Sequence, residues 1–204
     1  MAAELPQLQF DDAAAWEAWL SAHHESSAGA QLRIAKKGSA HRTVSHPEAL
    51  DVALCYGWID ARRNALDADF FLQNFTPRRS KSIWSKVNQD KVAALIDAGR
   101  MREAGHAEIA RAKADGRWEA AYAGSKTIEV PDDLAAALAA NPEALAFFGT
   151  LSSQNRYAIL FRLHHAKRPE TRARNITTFV AQLARHETVY PQPPRPAPAA
   201  PPAP

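Results

Sequence analysis

The sequence predicts an α+β protein, and three observations carry that reading. Period-two apolar alternation and turn residues mark short strands in the first half, between Ala30 and Phe75. Helix signals interleave with those strands, then run alone from Ser82 to His186. No internal repeat is visible, and no apolar run approaches the ~18 residues of a membrane span. The expected architecture is a small antiparallel sheet packed with helices over residues 1–125, a helical region over 126–190 and a disordered Pro/Ala-rich tail over 191–204.

Each element has its own local reason. Asp11 or Asp12 can cap a helix to His23 that places Trp16, Trp19 and Leu20 on one face. In "AQLRIAKK", Leu32 and Ile34 alternate with Arg33 and predict a strand. "HPEALDVALCYG" predicts a helix with Pro47 in its first turn, Leu50, Ala53 and Leu54 spaced for burial, and Gly57 as its stop. "WIDARRN" and "DFFLQNF" then read as paired strands around the turn signal at Asn64 to Asp69. Thr76-Pro77 ends the second, because proline donates no ladder hydrogen bond.

From there the pattern is helical. Ser82 is the expected cap of a helix through Asp97, with Gly99 just past its end. "MREAGHAEIARAKADGRWEAAY" suggests a helix interrupted at Gly105 and ending near Gly116. "VPDDLAAALAANPEALAFFGTL" gives two short helices, each opening on proline and acidic residues that suit the positive end of the dipole. Ser153 to Lys167 and Pro169 to His186 form a helical hairpin, with Ile176, Phe179, Val180 and Leu183 as the buried stripe of its second helix. "PQPPRPAPAAPPAP" after Tyr190 is expected to be extended and polyproline-II-like.

Composition narrows the function classes. The chain has 204 residues, 46% of them hydrophobic, enough for one sizeable core or two small ones. A net charge of +3 is too mild for a dedicated nucleic-acid binder. Cys55 is the single cysteine, which excludes an internal disulfide, and its place beside Leu54 suits a buried structural thiol. "MAAELPQLQFDDAAAW" lacks the basic and apolar regions of a signal peptide, so a cytoplasmic location is expected.

The most informative stretch is "FTPRRSKSIWSKVN", Phe75 to Asn88. It sets Arg78, Arg79 and Lys81 at the expected start of a helix, whose N-terminus already carries about +0.5 charge. Something negative should offset them. An external phosphate or carboxylate is one candidate, held by helix N–H groups and forked guanidinium donors. Internal pairing with Asp60, Asp67 or Asp69 of the neighbouring hairpin is the other. The expected ligand-binding surface comprises Asp60, Arg78, Arg79, Lys81, Ser82, Trp84 and Asn88, joined by Arg117 and Trp118 of "GRW".

A second basic cluster, Arg156, Lys167, Arg168, Arg172 and Arg174, accompanies the helical hairpin, where a solvated face is the simpler reading. Trp58, Trp84 and Trp118 sit beside charges as base-stacking residues do, although large aromatics in a small domain more often build core. No metal or cofactor signature occurs: the pairs His23-His24 and His164-His165 lack i,i+4 spacing, and no H-E-x-x-H, paired C-x-x-C, phosphate loop or nucleophile elbow is present. No catalytic residue, metal ligand or cofactor is therefore assigned. Asp60 is the best single acid, without a partner base in the sequence.

Five ordered segments, "EALDVALCYGWIDARRNALD", "FTPRRSKSIWSKVNQDKVAALIDAGRM", "AKADGRWEAAY", "VPDDLAAAL" and "AKRPETRARN", resemble the YdeI/OmpD-associated, or bacteriocin-protection, family from about Trp16 to His186. Two positions depart from its pattern. Ala61 follows "WID" where relatives commonly have glycine, and Asn175 follows "RAR" where a further basic residue is expected. The resemblance implies a YjbR/CyaY-like fold, association with an outer-membrane porin and protection against bacteriocins or cationic antimicrobial peptides. It implies no catalytic residues. The function expected from sequence is a cytoplasmic, non-enzymatic protein of envelope stress or peptide resistance, binding an anionic ligand or a protein partner. Two rivals stand beside it: a nucleic-acid binder using both basic clusters, and an enzyme acting on a small anionic substrate with Asp60 as base beside Arg78 and Trp84.

Overall fold

A computed structural model describes residues 5–125 and 127–193 and divides the chain into two compact units, residues 1–121 and 122–204. The first unit begins with β1 (Gln7–Leu8) and α1 (Ala13–His23), capped by the Asp12 carboxylate, which accepts from the Ala15 N–H. β2 (Ala30–Ala35) buries Ala30, Leu32 and Ile34 and leaves the residues between them half-exposed. α2 (His46–Cys55) starts at a capping box, in which Ser45 and Glu48 satisfy each other's backbone N–H groups. Gly57, at φ 71°, ends that helix and turns the chain into β3 (Trp58–Ala65), which pairs with β4 (Phe70–Pro77).

The sheet order is β1-β2-β4-β3. β2, β4 and β3 pair antiparallel, as expected, but β1 runs parallel to β2, with Gln7 against Gln31 and Leu8 against Leu32. The sheet is therefore mixed rather than antiparallel. A two-residue strand carries no detectable periodicity, so no sequence pattern marks it.

A register shift between Asp60 and Arg63 places a bulge at Ala61–Arg62. The buried Gln73 amide fills it, donating to the Ala61 carbonyl at 3.0 Å and accepting from Arg63 Nε at 3.1 Å. Ala61 is not among the residues with positive φ, so the bulge takes alanine where relatives commonly carry glycine.

Two further helices complete this unit, α3 (Lys86–Asp97) and α4 (Glu103–Ala114). α3 begins three residues beyond the expected cap: Ser85, not Ser82, accepts from the Asn88 N–H. Ser82 instead closes a turn, its Oγ accepting from the Arg79 N–H at 2.9 Å. α4 runs unbroken through Gly105, against the expected interruption. A Cβ on Gly105 would stand 2.3 Å from the Cys55 carbonyl oxygen, so glycine serves close approach of two backbones here and not a break. The core centres on Trp16, whose ring meets Phe10, Trp19, Trp58 and Phe75 and whose indole N–H donates to the Ala49 carbonyl at 3.0 Å.

The second unit is helical: α5 (Asp132–Ala139), α6 (Pro142–Thr150), α7 (Ser153–His164) and α8 (Pro169–Ala184). Leu134, Leu138, Phe148, Leu160, Leu163, Phe179 and Leu183 form its core, with Ile176 and Val180 half-buried beside them. Asn155, 1% exposed, accepts from the Tyr190 N–H and donates to the Tyr190 carbonyl and to the Gln192 side chain. The first residues of the proline-rich segment are thereby tied to α7. The tail reading otherwise falls on 194–204, outside the described residues.

Candidate anion-facing site around Arg78 and Lys86

The segment from Arg78 to Asn88 divides into a buried half and an exposed half. Arg78 is 5% exposed, and its guanidinium lies 3.7 Å from the centroid of the Trp84 ring while donating to the Ile83 carbonyl at 3.1 Å. Trp84 is itself buried and packs at 4.8 Å on Trp118, under the Lys113 ammonium. Both tryptophans therefore serve as core and core rim. The helix start that was to concentrate the charge lies at Ser85, so Arg78, Arg79 and Lys81 precede it by four residues or more.

Arg117 belongs to the buried half. It donates to Glu108 at 2.9 Å, to Asp115 at 2.8 Å and to the Ser82 carbonyl at 3.1 Å. Burial works against its charge, but its hydrogen bonds to Glu108 and Asp115 outweigh that and raise its pKa. Asp115, bonded to Arg117, is held below the ordinary carboxylate range. Glu108 is 1% exposed, and its other oxygen accepts from Arg111. This places a buried carboxylate between two guanidinium groups, an arrangement that tolerates burial because every oxygen has a charged donor.

The exposed half differs. Arg79, Lys81 and Lys86 are all exposed, and none makes a salt bridge to an acid among the described residues. Between and beside them stand Ile83, 44% exposed, and Val87, 50% exposed. Asn88 is half-buried at the third position of α3, its N–H taken by Ser85. The three candidate internal partners are engaged elsewhere: Asp60 with His46 at 3.1 Å, Asp67 with Arg33 at 3.7 Å and Asp69 with Ser39 at 3.3 Å. The cavity that Arg78 lines contains neither Asp60 nor Trp84. Sequence reasoning passed over Lys86, Ile83 and Val87; apolar residues four apart ordinarily signal burial, and only coordinates show these two in solvent.

In the helical unit the second basic cluster also divides. Arg172 turns to Asp133, donating at 2.5 and 2.8 Å, and to the Leu163 carbonyl at 2.7 Å. The Arg156 guanidinium lies 4.8 Å from the Phe148 ring centroid. Lys167, Arg168 and Arg174 are exposed without a salt bridge among the described residues. No three His, Cys, Asp or Glu side chains among the described residues come together as a metal site.

Fold and site together define an α+β protein with a mixed sheet, a separate helical unit and an unneutralised basic segment leading into α3. Residues 127–186, the heart of the helical unit, match the family described as bacteriocin-protection, YdeI or OmpD-associated, which is the family the sequence motifs resemble. Residues 8–108 match a domain of unknown function, DUF8412. The segments "VPDDLAAAL" and "AKRPETRARN" fall inside the first match. No curated protein and no solved structure gives a match. No helix among the described residues is long and apolar enough to cross a membrane.

Proposed function

We propose that this YdeI/OmpD-associated protein is a non-enzymatic binding protein that docks reversibly on an anionic lipid surface through the segment from Arg79 to Val87. One observation carries the reading: Arg79, Lys81 and Lys86, with no salt bridge to an acid among the described residues, stand around two apolar side chains that are about half exposed. Cations of this kind suit phosphate headgroups, while Ile83 and Val87 suit the boundary of headgroup and acyl chain. A nucleic-acid surface would use the charges but leave the apolar pair without a role.

The magnitudes favour weak binding. Each cation near an anionic leaflet contributes about 1 kcal/mol, and two partly inserted aliphatic side chains add about 1–2 kcal/mol together. The sum corresponds to a dissociation constant on the order of a millimolar, so attachment is peripheral and salt-sensitive. The proposed setting is the cytoplasmic face of the envelope, in a response to envelope stress or to bacteriocins and antimicrobial peptides. The family description and the mildly basic composition support that setting.

Vesicle sedimentation tests it. Binding to phosphatidylglycerol vesicles is expected at low salt, absent from phosphatidylcholine vesicles, and lost in Lys81→Glu and in the pair Ile83→Ser with Val87→Ser. Equal binding to both vesicle types would overturn it. So would salt-sensitive binding to duplex or single-stranded nucleic acid that the apolar substitutions leave unchanged.

A further inference from the structure

A groove lies elsewhere on the first unit, with oppositely charged ends. A cavity of about 630 Å³ and a neighbouring one of about 240 Å³ share His24, Glu25, Tyr56, Ala104 and Ala107, and so form one trough between the end of α1, the α2–β3 junction and one face of α4. The combined volume is that of a ligand site rather than a packing defect. Its depth comes from small residues: Ala104 and Ala107 line α4, and Gly57 sits where a Cβ would come within 3.0 Å of the Ala104 carbonyl.

The charges are sorted along the trough. The larger lobe alone is bordered by Glu103, exposed and without a salt bridge among the described residues, while the exposed Glu25 lines both lobes and lies 3.8 Å from His24 Nε2. The Arg102 cation there is matched by Glu17 at 2.6 Å. That end is therefore net negative. The smaller lobe is lined by Arg78, Glu108 and Arg111, and Arg111 holds Glu108 through Nε and one Nη. Glu108 is also bonded to Arg117, so the Arg111 charge is only partly neutralised, and its second Nη group has no partner among the described residues. Glu108 thus fixes the guanidinium with one edge turned away from the carboxylate.

Between the ends the wall is apolar or neutral. It consists of the Tyr56 ring, Ala104 and Ala107, with His24 tilted against Tyr56 at 5.1 Å. The His24 Nδ1 is 3.0 Å from the Leu20 carbonyl, which can only accept. Nδ1 therefore donates to that carbonyl, and Nε2 lies 3.8 Å from the Glu25 carboxylate.

We infer that this trough binds the end of a short peptide, its free C-terminal carboxylate on Arg111 and a basic side chain toward Glu25 and Glu103. A simple anion would meet the Glu25 and Glu103 carboxylates and a simple cation would meet Arg111. A zwitterionic chain satisfies both ends at once, and the open trough admits its backbone. The site is separate from the lipid-facing segment and stands or falls without it.

Isothermal titration with the tripeptide Lys-Ala-Ala, as free acid and as C-terminal amide, tests the assignment in a thermodynamic cycle. The free acid is expected to bind with a dissociation constant on the order of a millimolar, and amidation to weaken it about tenfold. Arg111→Gln, whose loss leaves Glu108 bonded to Arg117, should weaken the free acid by a similar factor and leave the amide unchanged. Glu25→Gln with Glu103→Gln should weaken Lys-Ala-Ala but not Ala-Ala-Ala. Absence of binding by the free acid at millimolar concentration overturns the inference, as does affinity indifferent to both amidation and Arg111→Gln. Both variants alter exposed side chains, and circular dichroism checks that each is folded.

Discussion

The guanidinium of Arg78 lies over the indole of Trp84, 3.7 Å from the ring centroid. A desolvated cation–π contact of this kind contributes about 2 kcal/mol, and the planar fork also holds the Ile83 carbonyl at 3.1 Å. Arg78→Ala should therefore lower unfolding free energy by about 2–3 kcal/mol. Arg78→Lys should recover little, because an ammonium neither stacks nor forks. Urea denaturation followed by tryptophan fluorescence reads both, and full recovery by lysine would refute the stacking role.

Glu108 is the acid on which two arginines converge inside the first unit. Removing one partner of a buried ion pair costs about 3–5 kcal/mol, because the other charge stays buried. Glu108→Gln should show a loss of that order in thermal melts. Arg111→Gln, at the 66% exposed end of the same network, should cost far less. Comparable losses for the two would contradict the burial difference.

Gly105→Ala sets two effects against each other. Alanine improves helix propensity by about 1 kcal/mol in a helix interior. Its Cβ would meet the Cys55 carbonyl oxygen at 2.3 Å, and that neighbour is backbone, which cannot swing away. Overpacking typically costs about 1–3 kcal/mol, so the clash should win and the melting temperature fall. A rise would mean that α2 and α4 separate easily.

Acid and base act on different groups of the second unit. The Asp133 carboxyl is lowered chiefly by its hydrogen bonds from Arg172. A depressed carboxyl stabilises the fold above its unfolded pKa, and the contribution disappears as pH falls through the folded value. Asp133→Asn should thus be destabilising at neutral pH and nearly silent in strong acid, as urea midpoints across the acid range will show. Burial pushes the Tyr157 phenol up to about 12. Its folded state keeps the proton longer than the unfolded state, so the stabilisation present below the ordinary tyrosine range is lost as pH rises toward that value. Ultraviolet titration should show a late phenolate step that Tyr157→Phe removes.

Much of the fold was legible because its signals are local. Asp12, Ser45 and Asn141 cap the helices that follow them, and each lies within three residues of the N–H it accepts from. Pro77 ends β4 where its missing donor requires it. The expected cap of α3, Ser82, is not the one used: Ser85 caps the helix, while the Ser82 oxygens accept from Arg79 and Arg117. Gly105 read as a break because a glycine needed for backbone contact and one that ends a helix look alike in sequence.

The sequence by itself determined the helices and the antiparallel hairpin, and it placed an excess of cations between Phe75 and Asn88. It could not sort those cations. Arg78 became part of a stack and Arg117 part of an ion pair, while Arg79, Lys81 and Lys86 stayed in solvent. The reason is that Coulomb and hydrogen-bond energies depend on separation in space. Arg117 reaches the Ser82 carbonyl across thirty-five residues while holding Glu108, and that meeting is written in the tertiary structure alone.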